Sequence, residues 1–279
     1  MPQIRKILFP VDFSESCFGA ARYVEAFAGQ FEAEIMLLHV VSMGEHNLPE
    51  ELLPQRQAQL DQFLAGELKY FTTHRVCKIG DPAAEIVEAA RAWAPDLAMM
   101  PTHGLGFFRR HLLGSVTAKA LHDLECPLWT SVHAETAPRL EHIHCRRILC
   151  SLDFTEDSRA ILAWASWLAG EYQAQLAIAH ATAVMNTGEA GWYPGDDFER
   201  QFTEQAMARI ALLQQEAGST AEQVFVRAGK PDVVVATAAR EFEADLVVIG
   251  RHGEAGIAGN LFQHAYAILR ESPCPVISI

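Results

Sequence analysis

Lys6-Ile7-Leu8-Phe9-Pro10-Val11-Asp12-Phe13-Ser14-Glu15 returns as Arg147-Ile148-Leu149-Cys150-Ser151-Leu152-Asp153-Phe154-Thr155-Glu156, 141 residues later. Each stretch is an apolar run ending in an aspartate and then a Ser/Thr-Glu pair, the pattern of a buried strand that turns into a helix. Five further landmarks follow in the same order. Leu38-His39-Val40 pairs with Ala179-His180-Ala181, and Gly80-Asp81-Pro82 with Gly229-Lys230-Pro231. Pro95-Asp96-Leu97 pairs with Ala244-Asp245-Leu246, and Thr102-His103-Gly104 with Arg251-His252-Gly253. Glu125-Cys126-Pro127-Leu128 pairs with Pro273-Cys274-Pro275-Val276. The chain is one domain written twice.

The offset grows along the repeat, which places an insertion at Thr187–Asp197, a Gly-containing stretch with Trp192, Tyr193 and Pro194 that reads as a longer loop. The copies are expected at 1–135 and 143–279. His133–Ile143, polar and without apolar period, reads as the linker. Within the first copy, strands are expected at Lys6–Val11, Ile35–Val41, His74–Lys78, Leu97–Pro101 and Leu128–Val132, with helices between them. Ser14 and Glu15 cap the first helix, whose apolar face carries Ala20, Val24 and Phe27. Asp81-Pro82 and Lys230-Pro231 place proline at a first helical position. Alternating strand and helix gives an α/β fold: two tandem, doubly wound, Rossmann-like domains, each a five-stranded parallel sheet with about four helices.

Such sheets bind ligands beyond the carboxyl ends of their strands, where the winding reverses, here between the first and fourth strands. The first ends in Pro10-Val11-Asp12 and the fourth in Met99-Met100-Pro101-Thr102-His103-Gly104. Gly114-Ser115-Val116 then opens the last helix. A glycine at a helix start lets a phosphate approach, and the exposed amides with the Ser115 hydroxyl donate to it. Asp12 suits ribose or base donors, and Val40 suits a purine face. The candidate cofactor-binding residues are Pro10, Asp12, Val40, Met100, Gly104, Gly114, Ser115 and Val116.

In these features the chain resembles the universal stress protein family in its tandem form, through Asp12-Phe13-Ser14-Glu15-Ser16, Leu37-Leu38-His39-Val40, Thr102-His103-Gly104, Leu112-Leu113-Gly114-Ser115-Val116 and Cys126-Pro127-Leu128. The resemblance implies a cytoplasmic stress-response protein that binds an adenine nucleotide such as ATP, ADP or AMP. It also implies pairing of the two copies into a pseudo-dimer, and a homodimer of whole chains. Phe107-Phe108, Trp129 and Trp192 are candidates for such contacts.

Two departures from the family's G-x-x-G, nine residues, G-[ST] pattern make the copies unequal. Pro101 replaces a glycine in the first copy, removing an amide donor and fixing φ. In the second copy Gly250 and Gly253 remain, but Gln263 and His264 stand where Gly-Ser is expected, so Asp153, Gly250 and Gly253 read as a degenerate site. The alternatives are a non-nucleotide interaction or scaffold protein with filled crevices, or, more weakly, a slow nucleotide hydrolase. No nucleophile-base-acid pattern, GxSxG, HExxH or GK[ST] loop appears, so no dedicated enzyme is indicated and no catalytic residue is named.

Other candidates receive structural readings. Asp12 and Asp153 also suit helix capping, and Gly114-Ser115 an ordinary helix start. His39, His180, His103 and His252 read as hydrogen-bonded structural histidines, and Cys126 and Cys274 as core. His142, His144 and Cys145 match no closed zinc spacing, so no metal is expected.

The formal charge of -13 disfavours nucleic acid and anionic membranes. The Arg109-Arg110 and Arg146-Arg147 pairs read as solvated faces. No apolar run approaches the roughly 20 residues of a membrane span. An N-terminus without an export signal and six scattered cysteines point to the cytoplasm.

Overall fold

The computed structural model describes residues 2–42, 49–102, 114–182, 196–251 and 261–279. It divides into Met1–His144 and Cys145–Ile279. In the first unit the order is β1 (Lys6–Pro10), α1 (Glu15–Phe31), β2 (Glu34–Val41), α2 (Pro49–Gln62), β3 (Thr73–Ile79), α3 (Pro82–Trp93), β4 (Leu97–Met99), α4 (Ser115–Asp123) and β5 (Leu128–Thr130). The second unit repeats it as β6 (Arg147–Ser151), α5 (Ser158–Tyr172), β7 (Gln175–Thr182), α6 (Asp196–Ala217), β8 (Gln223–Ala228), α7 (Pro231–Phe242), β9 (Leu246–Ile249), α8 (Leu261–Glu271) and β10 (Val276–Ser278).

Strand order is β3-β2-β1-β4-β5 in the first unit and β8-β7-β6-β9-β10 in the second. Within each unit the neighbouring strands run parallel. This is the expected α/β class. Parallel strands covered on both faces need apolar side chains pointing both ways. Ile7, Leu8 and Phe9 are accordingly 0% exposed in succession, as are Ile148, Leu149 and Cys150. Because β1 pairs with β2 on one side and β4 on the other, the winding reverses between β1 and β4. The corresponding reversal in the second unit lies between β6 and β9.

Local sequence explains the helix boundaries. Ser14 caps α1 and accepts from the Cys17 amide, while Asp81 caps α3, accepts from the Ala84 amide and is followed by Pro82. Four helices, α1, α3, α5 and α7, end on a residue in the left-handed region: Glu32, Ala94, Gln173 and Glu243. No glycine marks these ends, and each cap amide closes its helix on a carbonyl of the last turn.

Two repeated landmarks have structural roles. Asp96 Oδ2 accepts from the Arg5 and Lys6 amides at 2.8 and 3.0 Å, and Asp245 Oδ2 from the Arg146 and Arg147 amides at 2.7 and 3.0 Å. Each aspartate ties the start of the central strand to its neighbour.

His133–Ile143 is more ordered than its polar composition suggests. It forms short 3-10 helices at Ala134–Thr136 and Leu140–His142, with Ala134 and Ala137 buried. Gly19 of α1 permits this packing, since a Cβ there would stand 1.6 Å from the Ala134 carbonyl oxygen. Arg22 donates to the Ala137 and Pro138 carbonyls. Trp129, a candidate contact residue, is fully buried with its ring 4.9 Å from Tyr23. Cys126 and Cys274 sit in the turns before their strands; Cys126 is half-buried, while burial pushes the Cys274 thiol up to about 12, as in a core. The insertion at 187–197, Phe107, Phe108, Arg109, Arg110 and Trp192 fall wholly or largely outside the described residues.

Candidate functional site

The first crevice is built at the carboxyl end of β1. Pro10 closes that strand opposite Leu38, and the Val11 amide continues toward the Leu38 carbonyl at 2.8 Å. The chain then turns through Phe13, whose φ of 62° is unusual for a bulky residue. That turn lets half-buried Asp12 accept from the Ser14 amide at 3.0 Å and from the Cys17 thiol at 3.0 Å, both through Oδ1. Helix capping belongs to Ser14, so Asp12 does not serve as the cap.

The left-handed conformation at Phe13 is secured by its ring, which lies 4.4 Å from His39 and 5.2 Å from Phe63. His39 Nδ1 meets the Val11 carbonyl at 2.8 Å, so Nδ1 carries the proton. The structural reading of this histidine agrees with that bond. Val40, half-buried at the end of β2, pairs with Lys78.

The opposite wall grows from β4. The Met100 amide donates to the Trp129 carbonyl, and the Thr102 amide and hydroxyl both reach the Ser131 carbonyl, at 3.2 and 3.1 Å. Gly114 then returns to the same place, its amide donating to the Thr102 carbonyl at 2.8 Å. A side chain at Gly114 would come within 3.1 Å of that oxygen. Thr117, buried one turn into α4, donates its hydroxyl to the Pro101 carbonyl at 3.1 Å. Together these bonds fix the start of α4 to the end of β4.

The α4 start suits an anion. Gly114 is its N-cap and supplies no side-chain acceptor, and the Ala118 amide already donates to the Gly114 carbonyl. The Ser115, Val116 and Thr117 amides thus form the helix's first turn, and the Ser115 side chain is exposed beside them. Adjacent strands lie about 4.8 Å apart, so the ends of β1 and β4 bring Pro10, Asp12, Met100, Gly114, Ser115 and Val116 to one edge, with Val40 one strand further. Gly104 and His103 lie outside the described residues. Sequence reading missed three residues here: Cys17, Thr102 and Thr117. The signal for Cys17 was its alignment with Ser158 in the second copy.

The second unit keeps the turn and changes the wall. Phe154 has φ 64°, and its ring stacks 3.9 Å from His180, whose Nδ1 meets the Leu152 carbonyl at 2.7 Å. Burial holds the His180 pKa below its usual value despite that bond. Arg209 also lies over the Phe154 ring, its guanidinium 4.7 Å from the ring centroid. Asp153 is exposed and accepts from the Thr155 amide, the Thr155 hydroxyl and the Ser158 hydroxyl at 3.2, 2.7 and 3.3 Å. Here Asp157, not Asp153, is the helix N-cap.

Gly250 follows β9, and Arg251, 3% exposed, takes the place of Thr102 with its amide on the Ile279 carbonyl. Helix α8 already begins at Leu261, which puts Gln263 and His264 inside it and His264 past the first turn's unpaired amides. The counterpart of the Gly114-Ser115 opening is therefore helix interior. Gly253 and His252 lie outside the described residues. Among the described residues no group of three or more His, Cys, Asp or Glu is arranged to hold a metal ion, and no helix is long and apolar enough to cross a membrane.

Comparison with known proteins agrees with the duplicated architecture. The model of the universal stress protein family matches twice, at residues 3–131 and 144–279. A universal stress protein of Methanocaldococcus jannaschii is 31% identical over 135 residues, which make up 44% of this chain and 79% of that protein. Universal stress protein A homolog 2 of Coxiella burnetii is 26% identical over 137 residues, 48% of this chain and 94% of its own. Among solved structures, a universal stress protein of Archaeoglobus fulgidus superposes with a TM-score of 0.73 at 20% identity, covering 98% of this chain and 97% of that one. A functionally unknown protein of Pseudomonas aeruginosa gives 0.70 at 19% identity, covering 99% and 92%. At these identities the two structures speak for the fold. The two family matches span nearly the whole sequence, and the chain belongs to the universal stress protein family in a tandem, two-copy form.

Proposed function

We propose that the first unit binds an adenine nucleotide and that the second is a degenerate copy without a phosphate cradle. The observation that supports this reading is that a half-buried carboxylate follows β1 while a helix start without a side-chain cap follows the adjacent strand β4. Asp12 suits the hydroxyls of a ribose or the amino group of a base, Val40 the base face, and the Ser115 and Val116 amides with the Ser115 hydroxyl the phosphates. Pro101 withholds one donor, while Gly114 and Ser115 keep the helix start.

Calorimetry with ATP, ADP and AMP tests this. Saturating heat at one nucleotide per chain is expected, with Ser115→Ala weakening ATP roughly tenfold through loss of one charge-assisted hydrogen bond. Absence of heat from all three nucleotides overturns it.

The proposal includes binding without turnover, in a reducing cytoplasm, by a homodimer active in a stress response. Free thiols at Cys17, Cys77, Cys126, Cys145, Cys150 and Cys274 support the compartment, and membership of the family supports the role. Phosphate release from ATP above background would contradict the first point, and light scattering at the mass of one chain the homodimer.

Pro101 and the early start of α8 favour a second reading, an interaction protein with no nucleotide at all. A nucleotide spectrum in the supernatant of denatured, freshly purified protein would exclude that reading.

A further inference from the structure

The Asp12 carboxylate is held by a side chain that neither the repeat landmarks nor the proposed ligand contacts include. Cys17 lies one turn into α1, is 2% exposed, and points its Sγ at Asp12 Oδ1 at 3.0 Å. Burial pushes this thiol up to about 12, with the Asp12 charge adding to the effect, so it stays protonated at neutral pH and remains a donor. In the second unit the aligned residue is Ser158, 0% exposed, whose hydroxyl meets Asp153 Oδ1 at 3.3 Å.

The same geometry thus recurs with a different donor atom. What the two copies share is an X–H group five residues after the aspartate, buried under the turn and directed at one carboxylate oxygen. Packing alone gives no reason for a polar hydrogen at these positions. Instead a hydrogen-bond donor to the carboxylate stands at both.

We propose that Cys17 is a positioning residue for Asp12: its thiol, with the Ser14 amide, fixes one carboxylate oxygen and so orients the carboxylate toward the crevice, and Ser158 does the same for Asp153. The claim deepens the proposed nucleotide site and rests on it for the effect on affinity. It does not rest on that site for the hydrogen bond itself.

The experiment uses the full chain and two readouts. In calorimetry with ATP, Cys17→Ser keeps a hydroxyl donor and is expected to bind within about twofold of wild type, whereas Cys17→Ala is expected to bind roughly tenfold more weakly. Circular dichroism confirms that both variants are folded. Infrared spectroscopy supplies the second readout, since the S–H stretching band assigned to Cys17 by its loss in Cys17→Ser should move on Asp12→Asn as the acceptor loses its charge. Equal affinity of Cys17→Ala and wild type overturns the positioning role, as does Cys17→Ser binding as weakly as folded Cys17→Ala. If wild type binds no nucleotide, the functional proposal falls by itself. The infrared band then decides the positioning claim: a band that moves on Asp12→Asn upholds it, and an unmoved band removes it.

Discussion

Residues that repeat between the two copies divide into those that brace the fold and those that shape a crevice. His39 and His180 do the first: each binds the carbonyl of the residue before the repeated aspartate and packs on the phenylalanine after it. His180 gives this a pH signature. Its folded pKa is lowered by burial, so the unfolded chain takes up the proton first as pH falls. The stability it contributes is complete above the unfolded value near 6.5 and is lost as pH falls from there toward the folded value. Denaturant unfolding between neutral and mildly acid pH should show a decline of at most about 1.4 kcal/mol per pH unit from this one proton. His180→Asn, whose amide can keep the bond to the Leu152 carbonyl without taking a proton, should show a shallower decline, and an identical one would remove His180 as its source. Gly19 offers a test independent of pH. A methyl group 1.6 Å from the Ala134 oxygen forces α1 and the following 3-10 segment apart, so Gly19→Ala should cost about 3 kcal/mol or more and lower the thermal midpoint by at least about 5 °C.

At the scale of elements, the strands and helices were legible because parallel strands buried on both faces leave long apolar runs, and because Ser14, Asp81-Pro82 and Lys230-Pro231 mark helix starts by local chemistry. The packing of 133–143 was not. It depends on a missing side chain at Gly19 and on backbone acceptors for Arg22, contacts more than 100 residues apart that leave no periodicity. Half of the crevice was readable for the same reason: Asp12 and Gly114-Ser115 announce themselves by type, whereas Thr102, Thr117 and Cys17 act through tertiary hydrogen bonds. The Thr117 bond to the Pro101 carbonyl joins α4 to β4, so Thr117→Val should destabilise the chain by about 1 to 3 kcal/mol, because it leaves a buried carbonyl unpaired. Thermal unfolding that matches wild type would show that this bond does not anchor α4. Pro101→Gly restores an amide donor and should tighten ATP binding several-fold while lowering stability through backbone entropy. Calorimetry beside thermal unfolding separates the two effects.

For the whole molecule, the repeat gives two similar folds with different crevices. Both keep the aspartate turn, the phenylalanine in the left-handed region and the buried donor. The helix starts differ relative to the repeat: α4 starts at Ser115, while α8 has begun before the aligned His264. The second copy also exposes its aspartate and buries an arginine at the strand end where the first has threonine. The shared turn and the different helix starts together explain how a sequence with two family matches reads as one candidate site. Calorimetric titration of the full chain with ATP, alongside Asp12→Ala and Asp153→Ala, measures this inequality directly. The account predicts one ATP per chain, binding abolished or weakened at least tenfold by Asp12→Ala and unchanged by Asp153→Ala. Two equivalent sites, no binding, or a loss produced by Asp153→Ala alone would contradict it.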